Sequence, residues 1–269
     1  MAAFPYRYPV QVRLSIGLRA ICAIYPVLAL GRQVDVQEII QKSVAANEAD
    51  FRAEPGFAYK VLERGPQGSK TYEVTTIDGS PYRRLIAVNG KPLSKDGQRG
   101  EQQKLEQAAA RRRAQSLGER QKRIASYKKS RQRDHAMMQQ LTKAFTFTLI
   151  GEEKFGAFDV YHLRADPRSG YQPPSMETEV LTGMKGQLWI DKASYQWVKV
   201  MAEVVHPVSI AGFLARVEPG TQFELEKMPV ENGIWLPKHF AMKAHAKVLM
   251  VVNRSSHEDN TFSDYQRVQ

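Results

Sequence analysis

The sequence predicts a mainly β protein: an antiparallel sheet preceded by one helix and interrupted by a helical pair. Three observations carry this. Short runs of alternating apolar and polar residues are separated by Gly-, Pro- and Asn-containing turns, without the strand–helix–strand alternation of parallel folds. Val36, Ile39, Ile40, Val44 and Phe51 recur at helical spacing near the start. Residues 98–144 contain no proline and are rich in Ala, Arg, Gln, Lys and Glu, all tolerated or favoured in helices.

The elements follow in order. Residues 1–31 read as an export signal: Arg7, Arg13 and Arg19 precede an apolar stretch from Ala20 to Leu30, and Ala29-Leu30-Gly31 supplies small residues for cleavage. That stretch is too short to cross a bilayer, which needs about twenty residues. Cys22, the only cysteine, lies inside the signal, so the chain after cleavage has no disulfide, thiolate metal ligand or cysteine nucleophile. Residues 32–269 then form one domain. A helix is expected from Val34 to Ala49, with its apolar stripe on a core, ended by Glu54-Pro55-Gly56. Strands follow at Phe57 to Arg64, Thr71 to Ile77 and Tyr82 to Val88, turned by Gly65-Pro66-Gln67-Gly68, Asp78-Gly79 and Asn89-Gly90.

The helical insertion divides in two, Glu101 to Gln115 and Leu117 to Ala144, because Ser116 and Glu119 fit a capping box. Phe145, Phe147 and Leu149 open the next strand, Gly151 to Gly156 reads as a turn, and Ala157 to Ala165 pairs back. Residues 166–175 are a loop by their Pro and Gly content. The remaining strands are Lys185 to Ile190, Tyr195 to Val205, Thr221 to Lys227, Ile234 to Ala246, Val248 to Asn253 and Asn260 to Arg267, giving about ten in all.

Charge is concentrated. The chain carries +11, of which the acid-free leader supplies three arginines. Between Arg99 and Asp134 twelve Lys/Arg face four acids, leaving the rest of the protein neutral. Arg111, Arg112, Arg113, Lys128 and Lys129 are the candidate contacts for an anionic partner, either a phospholipid surface or an acidic protein. A plain solvated helix face is the competing reading. Nucleic acid is disfavoured, because the arm has almost no interleaved aromatics and export removes the usual target.

Motifs for catalysis are missing: there is no G-x-S-x-G, H-E-x-x-H, Walker or G-x-G-x-x-G sequence. Ser126 and Lys129 match S-x-x-K only within a lysine-rich helix. His239 and His245 share a strand face but stand about 20 Å apart, too far to share a metal. Glu224 and Glu226 alternate with Phe223 and Leu225 and read as a polar strand face. No catalytic residue, metal or cofactor is assigned. The informative pattern is apolar: Leu188 and Ile190; Val198, Val200, Ala202 and Val204; Phe223 and Leu225; Phe240, Met242, Ala244, Ala246 and Val248. Each set has period two and fits one sheet face, either an ordinary core or a partly covered trough for acyl chains.

Gly186-Gln187-Leu188-Trp189-Ile190-Asp191-Lys192, leading into Tyr195-Gln196-Trp197-Val198-Lys199-Val200, resembles the outer-membrane lipoprotein-sorting superfamily (LolA/LolB-like), as do the export signal and the N-terminal helix. The resemblance spans most of the chain outside 98–144. It implies a half-open β-barrel with helices as a lid, and a concave face that takes up lipoprotein acyl chains or other lipids without catalysis, in the periplasm. The basic helical pair and Gly170-Tyr171-Gln172-Pro173-Pro174 depart from the carriers' pattern, and no position here matches their lid arginine, so no residue's role is carried over. The expected function is that of a periplasmic lipid- or lipoprotein-binding protein, with Leu188, Ile190, Val198, Val200, Phe223, Leu225, Phe240 and Met242 lining the trough. The alternative is an envelope-stress sensor or protein-interaction scaffold.

Overall fold

Hairpin follows hairpin through most of the chain, and the result is a single antiparallel sheet. The computed structural model describes residues 35–210, 215–248 and 252–268. The expected export signal, Cys22 included, lies outside the described residues, as do Leu249, Met250 and Val251 of the strand expected at Val248 to Asn253. The described residues form thirteen strands: β1 (Phe57–Gly65), β2 (Gly68–Ile77), β3 (Ser80–Val88), β4 (Lys91–Pro92), β5 (Phe145–Phe155), β6 (Phe158–Pro167), β7 (Met184–Asp191), β8 (Trp197–Val204), β9 (Val208–Ile210), β10 (Ala215–Val217), β11 (Gln222–Glu231), β12 (Ile234–Val248) and β13 (Val252–Arg267). Their order is β4-β3-β2-β1-β13-β12-β11-β8-β7-β6-β5, with β10 joined to β12 and β9. The terminal strands β4 and β5 do not pair with each other, so the barrel is half-open, as expected.

The hairpins close where the sequence marks them. Asp78-Gly79, Asn89-Gly90 and Asn232-Gly233 all adopt positive φ at both residues, the backbone of two-residue turns that match strand twist. Gly151 to Gly156 is not a turn. β5 runs on to Phe155, absorbing an irregularity between Leu149 and Gly151, and reverses only at Gly156. β13 is one continuous strand of 16 residues where two were expected. The short strands β4, β9 and β10 are additional, and so is a 3-10 helix at Met176–Gly183 that packs on β6, β7, β9 and the third helix, with Thr178 and Leu181 buried.

Among the described residues three α-helices dress the sheet: α1 (Val36–Ala53), α2 (Lys95–Arg113) and α3 (Leu117–Ala144). Asp35 caps α1 by accepting from the Gln37 amide at 2.8 Å. The buried stripe of α1 is Ile39, Ile40, Ser43, Asn47 and Asp50, so its second half is polar where the sequence suggested Val44 and Phe51. α2 runs beside β3. There the Leu85 amide donates to Glu101, which covers a strand edge that would otherwise be open to pairing. α3 starts and ends where expected. Its capping box is complete, with Ser116 accepting from the Glu119 amide and Glu119 accepting from the Ser116 amide at 2.9 Å. Ser116→Ala is expected to cost about 1 kcal/mol, read as a lower urea midpoint with faster amide exchange in the first turn of α3. Among the described residues no helix is long and apolar enough to cross a membrane.

Candidate functional site

Register decides which apolar residues share a face. Leu188 pairs with Val200, Val200 with Leu225, and Leu225 with Phe240, a row crossing β7, β8, β11 and β12. A second row on the same face runs Gly186, Ala202, Phe223, Met242. The first continues through Leu163 on β6, which is fully buried. Leu188, Ile190 and Val200 are buried as well, whereas Phe223, Leu225, Phe240 and Met242 are only half-buried. The face is thus closed towards β6 and partly open over β11 and β12. At Gly186 a side chain would meet the Met201 carbonyl at 2.8 Å, so the second row stays small there.

Val198 does not belong with these residues. It falls in the irregularity between the pairs Trp189/Lys199 and Ile190/Trp197, and packs with Val160, Trp189 and Trp235. Trp189 alternates with Leu188 and therefore lies on the other face. Phe155 and Phe158 complete that second cluster. The same face also carries polar pairs. Trp189 Nε1 donates to Glu153 at 2.7 Å, His162 stacks on Trp189, and Lys199 bridges Glu224 and Glu226. Burial pulls the Lys199 ammonium down, but its bonds to Glu224 and Glu226 outweigh this and leave it above the usual lysine range. A cavity of about 460 Å³ opens on this side, lined among others by Lys185, Gln187, Met201, Glu203, Glu224 and Lys243. These residues alternate with Gly186, Ala202, Phe223 and Met242 of the second apolar row, which line the same cavity.

The residues that sequence reasoning missed hold α1 in place. Asp50 is 3% exposed and accepts from Lys227 Nζ, from Gln196 Nε2 at 3.0 Å and from the Trp235 amide at 2.9 Å. Asn47 takes a second bond from Lys227 at 2.7 Å. One helix is thereby pinned to β11, to the start of β12 and to the turn before β8. Burial pushes the Lys227 ammonium below its usual range, against the pull of Asp50. α1 is also tied to α3: Arg131 donates to the Phe51 carbonyl and pairs with Glu54 at 3.2 Å, and His135 stacks on Phe51 at 4.0 Å while meeting Glu48 at 2.8 Å.

Solved structures of the LolA superfamily are similar to this chain. A LolA superfamily protein from Nitrosomonas europaea is 12% identical, with 88% of this chain and 94% of that one covered and a TM-score of 0.32. A putative outer membrane lipoprotein-sorting protein domain from Vibrio parahaemolyticus is 13% identical, covering 85% and 93%, with a TM-score of 0.30. The MucA/MucB complex of Pseudomonas aeruginosa supplies a third likeness, at 9% identity, 82% and 92% coverage and a TM-score of 0.25. No protein-family model and no curated protein matches the chain.

The basic arm splits into two groups. Arg112 donates to the carbonyls of Ile77, Ser80 and Pro81 at 2.8, 2.7 and 2.9 Å, so it braces the β2–β3 turn and is not available to a partner. Arg123 supports the same turn through the Asp78 carbonyl and Ser80. Arg111, Arg113, Lys128 and Lys129 are exposed. Arg112→Ala is expected to cost about 2 kcal/mol and Arg111→Ala within about 0.5 kcal/mol, compared by urea unfolding. Ser126 and Lys129 are both exposed on α3 and share no hydrogen bond among the described residues. His239 and His245 bond separately to Asp259 and Ser255, and no metal-holding cluster occurs among the described residues.

Proposed function

We propose that this is an exported periplasmic protein that holds lipid or lipoprotein acyl chains against the apolar face of its half-open sheet, without catalysing a reaction. The observation that supports the reading is the gradient along the paired rows. Leu163, Leu188 and Val200 are buried, while Phe223, Leu225, Phe240 and Met242 continue the same face half-exposed. Four strands place Leu188 and Phe240 three inter-strand spacings apart, about 14 Å. An apolar chain laid across that width would contribute about 0.8 kcal/mol for each methylene leaving water. Directional polar recognition is not needed for such binding, which suits a face without charged side chains at these positions. α1, pinned across the strand ends through Asp50, has the place of a covering helix.

Native mass spectrometry of the protein exported to a bacterial periplasm and purified without detergent tests this. A bound mass of lipid size, lost on solvent extraction and regained on incubation with lysophospholipid, is the expected result. A protein that stays free of added mass after that incubation would overturn the proposal.

A further inference from the structure

We infer that the helical hairpin of α2 and α3 is a docking surface for an anionic phospholipid bilayer. The structure separates its cations by what they already do. Arg112, Arg123 and Arg131 are spent on backbone carbonyls of the body. Arg99, Lys104 and Arg120 face acids. Arg111, Arg113, Lys122, Lys128 and Lys129 make no hydrogen bond or ion pair among the described residues, and Arg133 bonds only to Ser130. On the hairpin, Glu119 closes the capping box, Glu101 takes Lys104 and the Leu85 amide, and Glu106 takes Gln102, while Glu177 on the neighbouring 3-10 helix feels the charge of Arg133 and Lys129.

Geometry favours a plane of headgroups over a folded partner. Lys122, Lys129 and Arg133 stand seven and four residues apart on one stripe of α3, about 16 Å long. They are single charges along one helix face, and the cavity on the sheet is lined by no hairpin residue. At the tip, between Arg113 and Lys122, Leu117 is 78% exposed in the first turn of α3. An apolar side chain standing free among unpaired cations suits the boundary between headgroups and acyl chains. The proposal is independent of whether acyl chains enter the sheet.

Co-sedimentation of the full chain with vesicles tests it. Vesicles of phosphatidylcholine containing a quarter phosphatidylglycerol should bind the protein at low salt and release it as salt rises, and phosphatidylcholine alone should bind far less. Each cation neutralised should weaken binding about fivefold, so R111Q/R113Q/K128Q/K129Q should lose on the order of several hundredfold while its circular dichroism stays unchanged. L117Q should weaken binding with the salt dependence kept. The pair K185Q/K243Q, on the sheet, should bind as the unaltered protein does. Equal binding to the two vesicle types, undiminished binding by the quadruple variant, or a loss in K185Q/K243Q would each overturn the proposal. Retention on polyglutamate with none on vesicles would do the same, and would transfer the surface to an acidic protein.

Discussion

Asp50→Ala is expected to destabilise the protein by about 3–5 kcal/mol. The variant leaves the Lys227 ammonium, 8% exposed, with Asn47 as its only remaining hydrogen-bond partner among the described residues. It also strips an acceptor from the Trp235 amide and from Gln196. Burial already holds the Lys227 ammonium below its usual range, and Asp50 is the main group opposing that effect. Without it the lysine must lose its proton, or α1 must lift to admit water. The pair itself is a poor source of stability, because removing two charges from water costs about what their attraction returns. The double variant Asp50→Asn with Lys227→Met should therefore unfold near the urea midpoint of the unaltered protein, or above it. That non-additivity identifies an uncompensated charge, not lost packing, as the cause. A loss below about 1 kcal/mol in Asp50→Ala would mean that the apolar contacts of Ile39 and Ile40 hold the helix unaided.

This network also shows where sequence reading runs out. Ser43, Asn47 and Asp50 continue the spacing of Ile39 and Ile40 but are polar, so an apolar periodicity stops short of them. The partners of Asn47 and Asp50 beyond α1 lie 146 to 185 residues away along the chain. The arm fails in the same way. Arg112 is indistinguishable from Arg111 and Arg113 in a charge run, and only the carbonyls of the β2–β3 turn, folded beside it, give it a structural role. Features set by local chemistry were legible. Asp78-Gly79 and Asn89-Gly90 form turns because those residues accept positive φ, and α3 begins at Leu117 because Ser116 and Glu119 cap each other. The apolar rows were legible from period two alone. Val198 was not, since an irregularity in β8 moves it to the other face. Gly151 misled for a related reason: a glycine inside a strand can mark an irregularity as well as a turn, and its pairing with His162 keeps β5 in the sheet.

Phe223→Glu is expected to abolish recovery of bound lipid, and Met201→Glu to leave it intact. Phe223 sits between Ala202 and Met242 on the half-exposed part of the apolar face and packs edge-on against Phe240 at 5.4 Å. A carboxylate there must either lose water against an acyl chain, at a cost of several kcal/mol, or exclude the chain. Three kcal/mol is already about a hundredfold in affinity, enough to empty the site during purification. Met201 tests the direction of the argument. It pairs with Glu224, which lies next to Phe223 on β11, yet it is 41% exposed and alternates with Ala202, so its side chain leaves from the other face of the strand. A charge added at Met201 remains hydrated and does not meet a chain on the apolar side. Circular dichroism and urea midpoints of both variants establish that they fold, and native mass spectrometry then reads the bound mass. Should Met201→Glu lose the lipid and Phe223→Glu retain it, the chains bind on the face of Lys185, Gln187 and Lys243, and the apolar rows are an ordinary core.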